Sequence, residues 1–273
     1  MKRRAKVFRP TAFAFPYLAV TLVFVIVPLI LVLVFAFRGE DGGFTLENFR
    51  WVFRGDDITT PAENLWIPLG KTVGIAAIST LICLLIAYPV AYVLASRPFR
   101  KMPILALLFV IPMWINFMLR IFALKSILGT LGIEEGYMAA VIGMVYDFFP
   151  YMLLPIYTVL ANMDKSYSEA SRDLGANPVQ TFFKVTLPLS VPGIISGVSM
   201  MFMPIFSSYA ITNTMGDTGT SVIGAKIEAL FGLYEYGYGS ALSFILLLIV
   251  LLVVWAGGFL TRRSQKAPKG GKA

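Results

Sequence analysis

The sequence predicts an all-α integral membrane protein with six transmembrane helices, and three observations carry that prediction. Of its 273 residues 58% are apolar and 14% charged, and the mean hydropathy of +0.77 is far above that of a soluble domain of this length. Six apolar runs reach the length that a hydrocarbon core demands of a helix, about 20 residues. The basic residues behind the net charge of +8 stand at the ends of these runs. They form no solvated patch with interleaved aromatics, so the charge reads as membrane topology and not as a nucleic-acid surface.

The first span runs from Pro16 to Phe37 behind a basic tail of Lys2, Arg3, Arg4, Lys6 and Arg9. Its apolar run exceeds the roughly 7–15 residues of a cleaved signal peptide, so it reads as a retained helix. The others are Thr72 to Ala95, Pro103 to Leu119, Tyr137 to Leu160, Leu187 to Met215 and Gly239 to Leu260. Five of the six carry no Asp, Glu, Lys or Arg, and the fourth carries Asp147 alone. Sixteen of the 23 Lys and Arg residues fall on one side, in the two tails and in the loops near residues 98 and 164–186. Because Lys and Arg are retained on the cytoplasmic face, these loops and both termini are expected inside. The organisation is a cytoplasmic tail over 1–15, a membrane domain over 16–260 and a second basic tail over 261–273. The first outer loop carries Glu40, Asp41, Glu47, Asp56, Asp57 and Glu63 against Arg38, Arg50 and Arg54. Such a surface suits a cationic solute or a basic partner face, and equally an ordinary solvated loop.

Several function classes drop out. The chain has no histidine and one cysteine, Cys83, which removes histidine metal sites, Ser-His chemistry, thiolate clusters and an intrachain disulfide. An intramembrane aspartyl enzyme needs two carboxylates where this chain offers one. Gly70-Lys71-Thr72 matches the end of a phosphate-binding loop, but the first glycine of that motif would fall at Leu65, so no ATPase is encoded here.

The informative segment is the loop between spans four and five, residues 161–187. Ser166 and Glu169 have the S-x-x-E spacing of a capping box, and Gly175 offers a left-handed helix stop. Asn177 can cap a second helix with Pro178 at its first position. The expectation is a helix, a turn and a second helix lying on the membrane surface.

Glu169-Ala170-Ser171, three residues, Gly175, nine residues, then Val185-Thr186-Leu187-Pro188 closely resembles the EAA loop of ABC-importer permeases, with Ser171 for Ala and Val185 for Ile. The resemblance implies a type I importer permease bundle with a cytoplasmic coupling helix in the bacterial cytoplasmic (inner) membrane. It assigns Glu169, Ala170, Ser171, Gly175, Leu187 and Pro188 to coupling with a separate ATPase, with Leu174, Phe182 and Phe183 as apolar contacts. It also implies two copies of that ATPase, which would hold ATP and magnesium, an extracytoplasmic solute-binding protein, and no cofactor on this chain.

Segments Ser79 to Tyr92, Ile111 to Phe122, Val145 to Tyr157 and Asp173 to Gly197 resemble the spermidine/putrescine branch, in its first permease subunit. That implies a polyamine cargo and a heterodimer with a second permease. Sulfate, iron and phosphonate permeases share the outlines of the first two segments, so another small solute is the alternative. An ion-coupled secondary carrier is a further one, but the chain shows no halves related by repetition and such a carrier has no use for a docking loop.

An intramembrane carboxylate must face a cavity or a partner, and Asp147 stands beside Tyr146, Phe149 and Tyr151. A carboxylate with aromatic faces suits a polyammonium ligand, while pairing with Arg120 is the structural alternative. Trp114 and Asn116 on span three and Tyr209 on span five complete the substrate-pathway set, although a buried amide such as Asn116 also serves to bond neighbouring helices. No metal site is expected. Two glycine pairs, Gly70 with Gly74 and Gly193 with Gly197, have the spacing for close helix packing.

Overall fold

The computed structural model describes residues 11–39, 41–54, 65–96, 102, 104–217, 220 and 222–265. The basic tail residues 1–10 and 266–273, Arg97, Arg100, Lys101 and Pro103, and the acids Glu40, Asp56, Asp57 and Glu63 lie outside them. The described residues are mostly helical, and among them the one β pairing is the isolated bridge between Arg38 and Phe44.

Among the described residues five helical stretches are long and apolar enough to cross a bilayer: Pro16–Ala36, Trp66–Ala95, Tyr137–Asn162, Pro178–Phe206 and Tyr236–Trp255. The first is α1 (Thr11–Thr21), a π-turn over Leu22–Ile26, and α2 (Val27–Ala36). Its side chains from Tyr17 to Val34 are largely exposed, so it presents its surface to lipid or to a partner. The amphipathic α3 (Glu47–Arg54) meets the C-terminal end of α2. There the Asn48 amide donates to the carbonyls of Ala36 and Arg38 at 3.0 Å each, satisfying groups that the end of a helix leaves unbonded.

The second stretch is α4 (Trp66–Ala95), and Gly70-Lys71-Thr72 lies in its first turns. The segment read as span three, Pro103 to Leu119, is not one continuous helix. It consists of α5 (Ile104–Leu108), a 3₁₀ turn over Ile111–Trp114 and α6 (Phe117–Thr130). Pro112 opens the 3₁₀ turn, Ile115 is extended, and the Asn116 side chain accepts from the amides of Met118 and Leu119 at 3.0 and 3.4 Å. Asn116 therefore starts a helix that continues well past the predicted end.

The fourth stretch, α7 (Tyr137–Asn162), is the central helix, with α4 and α10 on its flanks. After it come α8 (Ser166–Asp173), α9 (Pro178–Thr181), a π-turn over Phe182–Thr186 and α10 (Leu187–Ser207). Predicted span five thus begins earlier, at Pro178. It ends at Ser207, because Ser208, at φ −84° and ψ 67°, leaves helical space and separates α11 (Tyr209–Met215). The chain closes with α12 (Ile223–Gly232) and α13 (Tyr236–Gln265).

The main core joins Ile75, Cys83 and Ala87 of α4 to Met144, Met152 and Ile156 of α7, Met201 and Ile205 of α10, and Ile211 and Met215 of α11. Helices in lipid associate through close packing and not through exclusion of water, which makes small residues decisive. A Cβ on Gly193 would stand 3.0 Å from the Pro155 carbonyl oxygen, and one on Gly197 3.0 Å from that of Met152. This pair lets α10 lie directly on α7. The pair Gly70 and Gly74 does not act this way: a Cβ at Gly70 would meet nothing within 4 Å, and one at Gly74 only the Tyr137 hydroxyl at 3.8 Å. A polar tie adds to the packing, since Thr72 Oγ1 accepts from the Ile223 amide at 2.9 Å and donates to the Pro68 carbonyl at 2.7 Å.

Two substitutions with the same chemistry separate the glycine pairs. Gly193→Ala overpacks the α7 contact and destabilises by about 1–3 kcal/mol, whereas Gly70→Ala is neutral or stabilising by up to about 1 kcal/mol through helix propensity. Thermal unfolding of the detergent-solubilised protein reads the difference.

Candidate functional site

Residues 163–187 fold into a self-supporting unit at one end of the bundle. Asp164 contributes the cap seen at the start of its first helix: Asp164 Oδ1 accepts from the Ser166 amide at 3.0 Å. The stop is the left-handed one expected, with Gly175 at φ +84°. The Gly175 amide donates to the Arg172 carbonyl at 2.8 Å and the Ala176 amide to the Ser171 carbonyl at 3.1 Å, the paired bonds of a Schellman motif. The second helix starts with a reciprocal cap. The Gln180 amide donates to Asn177 Oδ1 at 2.8 Å and the Asn177 amide to Gln180 Oε1 at 3.1 Å, with Pro178 in the first helical position. Gln180, three residues after Asn177, is a signal the sequence carried and the reading above did not use. The hydroxyls of Ser171 and Thr181, 3.1 Å apart, tie the two helices together.

The unit exposes apolar surface. Leu174 is 89% exposed, Val179 64%, Phe183 60% and Tyr167 56%, while Glu169, Ala170 and Pro188 are also exposed and Ser171 and Leu187 half-buried. Tyr167 and Val179 join this face although motif spacing did not single them out. Phe182 does not join it. Its ring turns inward against Tyr88 and Tyr92 of α4, with centroids 5.8 and 5.4 Å away.

Among the described residues the substrate-pathway set is spread over several separate contacts. Asp147 is 4% exposed and Arg120 of α6 9%, and Asp147 Oδ1 lies 2.7 Å from Arg120 Nη2. The contact is an ion pair and not an aligned hydrogen bond, since neither Oδ1 nor Arg120 Nε has a hydrogen-bond partner. Phe149 packs on Phe109 at 5.7 Å and Tyr151 on Phe148 at 6.0 Å, while the neighbouring Tyr146 is exposed. Trp114 is almost wholly exposed, and Asn116 is committed to capping α6. Tyr209 lines an apolar groove of about 750 Å³ with Leu29, Met203, Pro204 and Phe231, which none of the other six reaches. Among the described residues no group of three or more His, Cys, Asp or Glu could hold a metal ion.

The Arg120–Asp147 pair fastens α6 to the central helix α7. Removing one member strands a buried charge, so Arg120→Met or Asp147→Leu alone destabilises by about 3–5 kcal/mol, and combining the two recovers most of that loss. The double-mutant cycle is measured by thermal unfolding in detergent.

Three comparisons bear on this architecture. Residues 4–266 match the family described as binding-protein-dependent transport system inner membrane component. The chain is 32% identical over 256 residues to the spermidine/putrescine transport system permease protein PotB of Haemophilus influenzae, covering 85% of this chain and 87% of that protein. It is 32% identical over 237 residues to PotB of Escherichia coli, covering 79% and 86%. Among solved structures it resembles a bacterial ABC transporter involved in the import of the acidic polysaccharide alginate, with a TM-score of 0.72 at 16% identity over 93% of this chain and 94% of that one. It also resembles the MetNI methionine ABC transporter in an inward-facing conformation, with a TM-score of 0.57 at 21% identity over 71% and 93%. With a multi-pass helical architecture and a match along nearly its whole length, the chain belongs to the family of binding-protein-dependent transport system inner membrane components.

Proposed function

We propose that this chain is the membrane-spanning subunit of an ATP-driven importer for polyamines such as spermidine and putrescine. The observation that carries the reading is the docking unit at 163–187: a rigidly capped pair of helices that exposes Glu169, Leu174 and Phe183 on a permease-family bundle. Identity to PotB permeases over most of both chains supports the polyamine cargo. In this reading the unit seats in a cleft of a separate ATPase, with two copies serving this chain and a second, companion permease. ATP and magnesium reside on the ATPase, and a solute-binding protein delivers cargo to the outer face. The likeness to a transporter solved with a pentasaccharide-bound periplasmic protein supports the same overall fold.

The topology that goes with this function has six crossings, the third formed jointly by α5, the 3₁₀ turn and α6, with both termini in the cytoplasm. Asp147 serves the cationic cargo in a conformation in which Arg120 has released it. Cytoplasmic ATP binding closes the ATPase pair, moves the docking units and opens the cavity outward, and hydrolysis resets it. The chain needs no catalytic residue of its own, because its contribution is a movable path.

The test uses liposomes holding this chain with its companion permease, ATPase and binding protein. Wild type hydrolyses ATP faster with spermidine or putrescine than without. Gly175→Val forces a β-branched residue into left-handed backbone at a cost of roughly 1–3 kcal/mol and abolishes the stimulation while membrane insertion persists. Stimulation by sulfate, iron or a phosphonate, with no response to polyamines, overturns the cargo, and full coupling in Gly175→Val overturns the docking assignment.

A further inference from the structure

Between the docking unit and α10 the helix does not wind uniformly. Residues Phe182–Thr186 form a π-turn, which holds one residue more than an α-turn and so acts as a single-residue insertion into a continuous helix. Its first residue is the inward-turned Phe182. The Phe182 ring meets Tyr88 and Tyr92 edge-on, at interplanar angles of 84° and 88°, and these two stand one turn apart on α4. On its other side Phe182 meets Phe183 at 5.0 Å and 87°, and Phe183 is on the exposed face of the docking unit. A line of rings thus leads from the cytoplasmic surface to α4, bypassing the helix axis.

The line is anchored. Tyr88 is 8% exposed, and its hydroxyl lies 2.9 Å from Oγ of the fully buried Ser190 on α10. The Ser190 hydroxyl already donates to the Leu187 carbonyl at 2.8 Å, so its single proton is spent and Tyr88 is the donor between the two side chains. Tyr88 therefore holds Phe182 by its ring and α10 by its hydroxyl, bracketing the π-turn from both ends. Next to it is a cavity of about 130 Å³ lined by Tyr92, Ser96, Met163, Ser168 and Thr186 among others, which leaves room for the turn to shift.

We infer that Phe182 is a positioning residue for transport: it passes displacement of the docking unit into α4 through Tyr88 and Tyr92, and the π-turn over Phe182–Thr186 is the joint that permits it. The inference rests on the docking role proposed above. A continuous α-helix from Pro178 to Ser207 would move α10 alone, as a rod. With the ring of Phe182 seated between two α4 tyrosines, the same displacement also moves α4, the other helix that flanks α7. A slip of the π-turn by one residue lets α10 rotate relative to the docking unit without breaking the chain of helical bonds.

The test is run on the complete importer, with companion permease, ATPase and binding protein, in liposomes with spermidine as probe. The readouts are uptake per ATP hydrolysed, co-purification of the ATPase, and thermal stability. Tyr92→Leu keeps co-purification, basal hydrolysis and stability, and lowers uptake per ATP by about tenfold, the order expected from losing an edge-to-face ring contact in the driven state. Phe182→Tyr preserves the ring and stays near the wild-type ratio, while Phe182→Ala loses it. Tyr88→Phe removes only the hydroxyl and gives a smaller loss in the same ratio. Deleting Lys184 restores plain α-helix with the register kept on both sides, and couples poorly although it folds and binds the ATPase. Unchanged uptake per ATP in Tyr92→Leu and Phe182→Ala overturns the relay, and full coupling after deletion of Lys184 overturns the joint. Loss of ATPase co-purification in Phe182→Ala makes Phe182 a docking residue instead. Should wild type itself show no link between spermidine and hydrolysis, the proposed function fails first, and the two failures are thereby distinguished.

Discussion

Water is absent from the hydrocarbon core, so every peptide group and every charge placed there must find its partner within the chain. The architecture follows from how that demand is met. Long helices satisfy their own interior bonds, and at several interruptions a specific side chain takes over the ends. Asn116 caps α6 after the break in the third segment, and Asn48 closes the carbonyls of Ala36 and Arg38 at the C-terminal end of α2. Thr72 bonds the first turn of α12 to α4. Asp147 obeys the same rule in its most demanding form, since an isolated carboxylate at this depth is untenable and Arg120 lies against it.

That pairing also explains how a broken segment can be firm. α6 is short and interrupts what would otherwise be a span, yet it carries the guanidinium that neutralises the central helix. The ion pair is incompletely hydrogen-bonded, so it fastens by charge more than by directed bonds. The close backbone approach at Gly193 and Gly197 holds α10 on the other side of α7. The central helix is thus gripped by charge on one flank and by shape on another.

The unit at 163–187 follows a different logic, because its stability is local. A Schellman stop at Gly175 and a reciprocal cap between Asn177 and Gln180 act over a few residues each, and together they fix the angle between α8 and α9 without help from the bundle. The unit is therefore rigid in itself and joined to the bundle through a π-turn and a seat of aromatic rings.

The apolar lengths, the near-absence of charge inside them, the left-handed stop at Gly175 and the cap at Asn177 were all legible in the sequence, because each depends on composition or on residues within one helical turn. The break near Asn116 was half legible: Pro112 and an Asn ahead of Phe117 are start signals, but apolarity alone says that a segment tolerates lipid, not that it is one helix. Asp164 and Ser166 are both capping residue types within one turn, and the structure is what shows Asp164 bonded to the Ser166 amide. The partner of Asp147, the contrast between the glycine pairs at 70/74 and 193/197, and the inward turn of Phe182 were settled only by tertiary structure. Identical spacing means close packing only where another backbone is present, and a single extra residue in a π-turn rotates every later side chain by a phase that no periodicity in the sequence records.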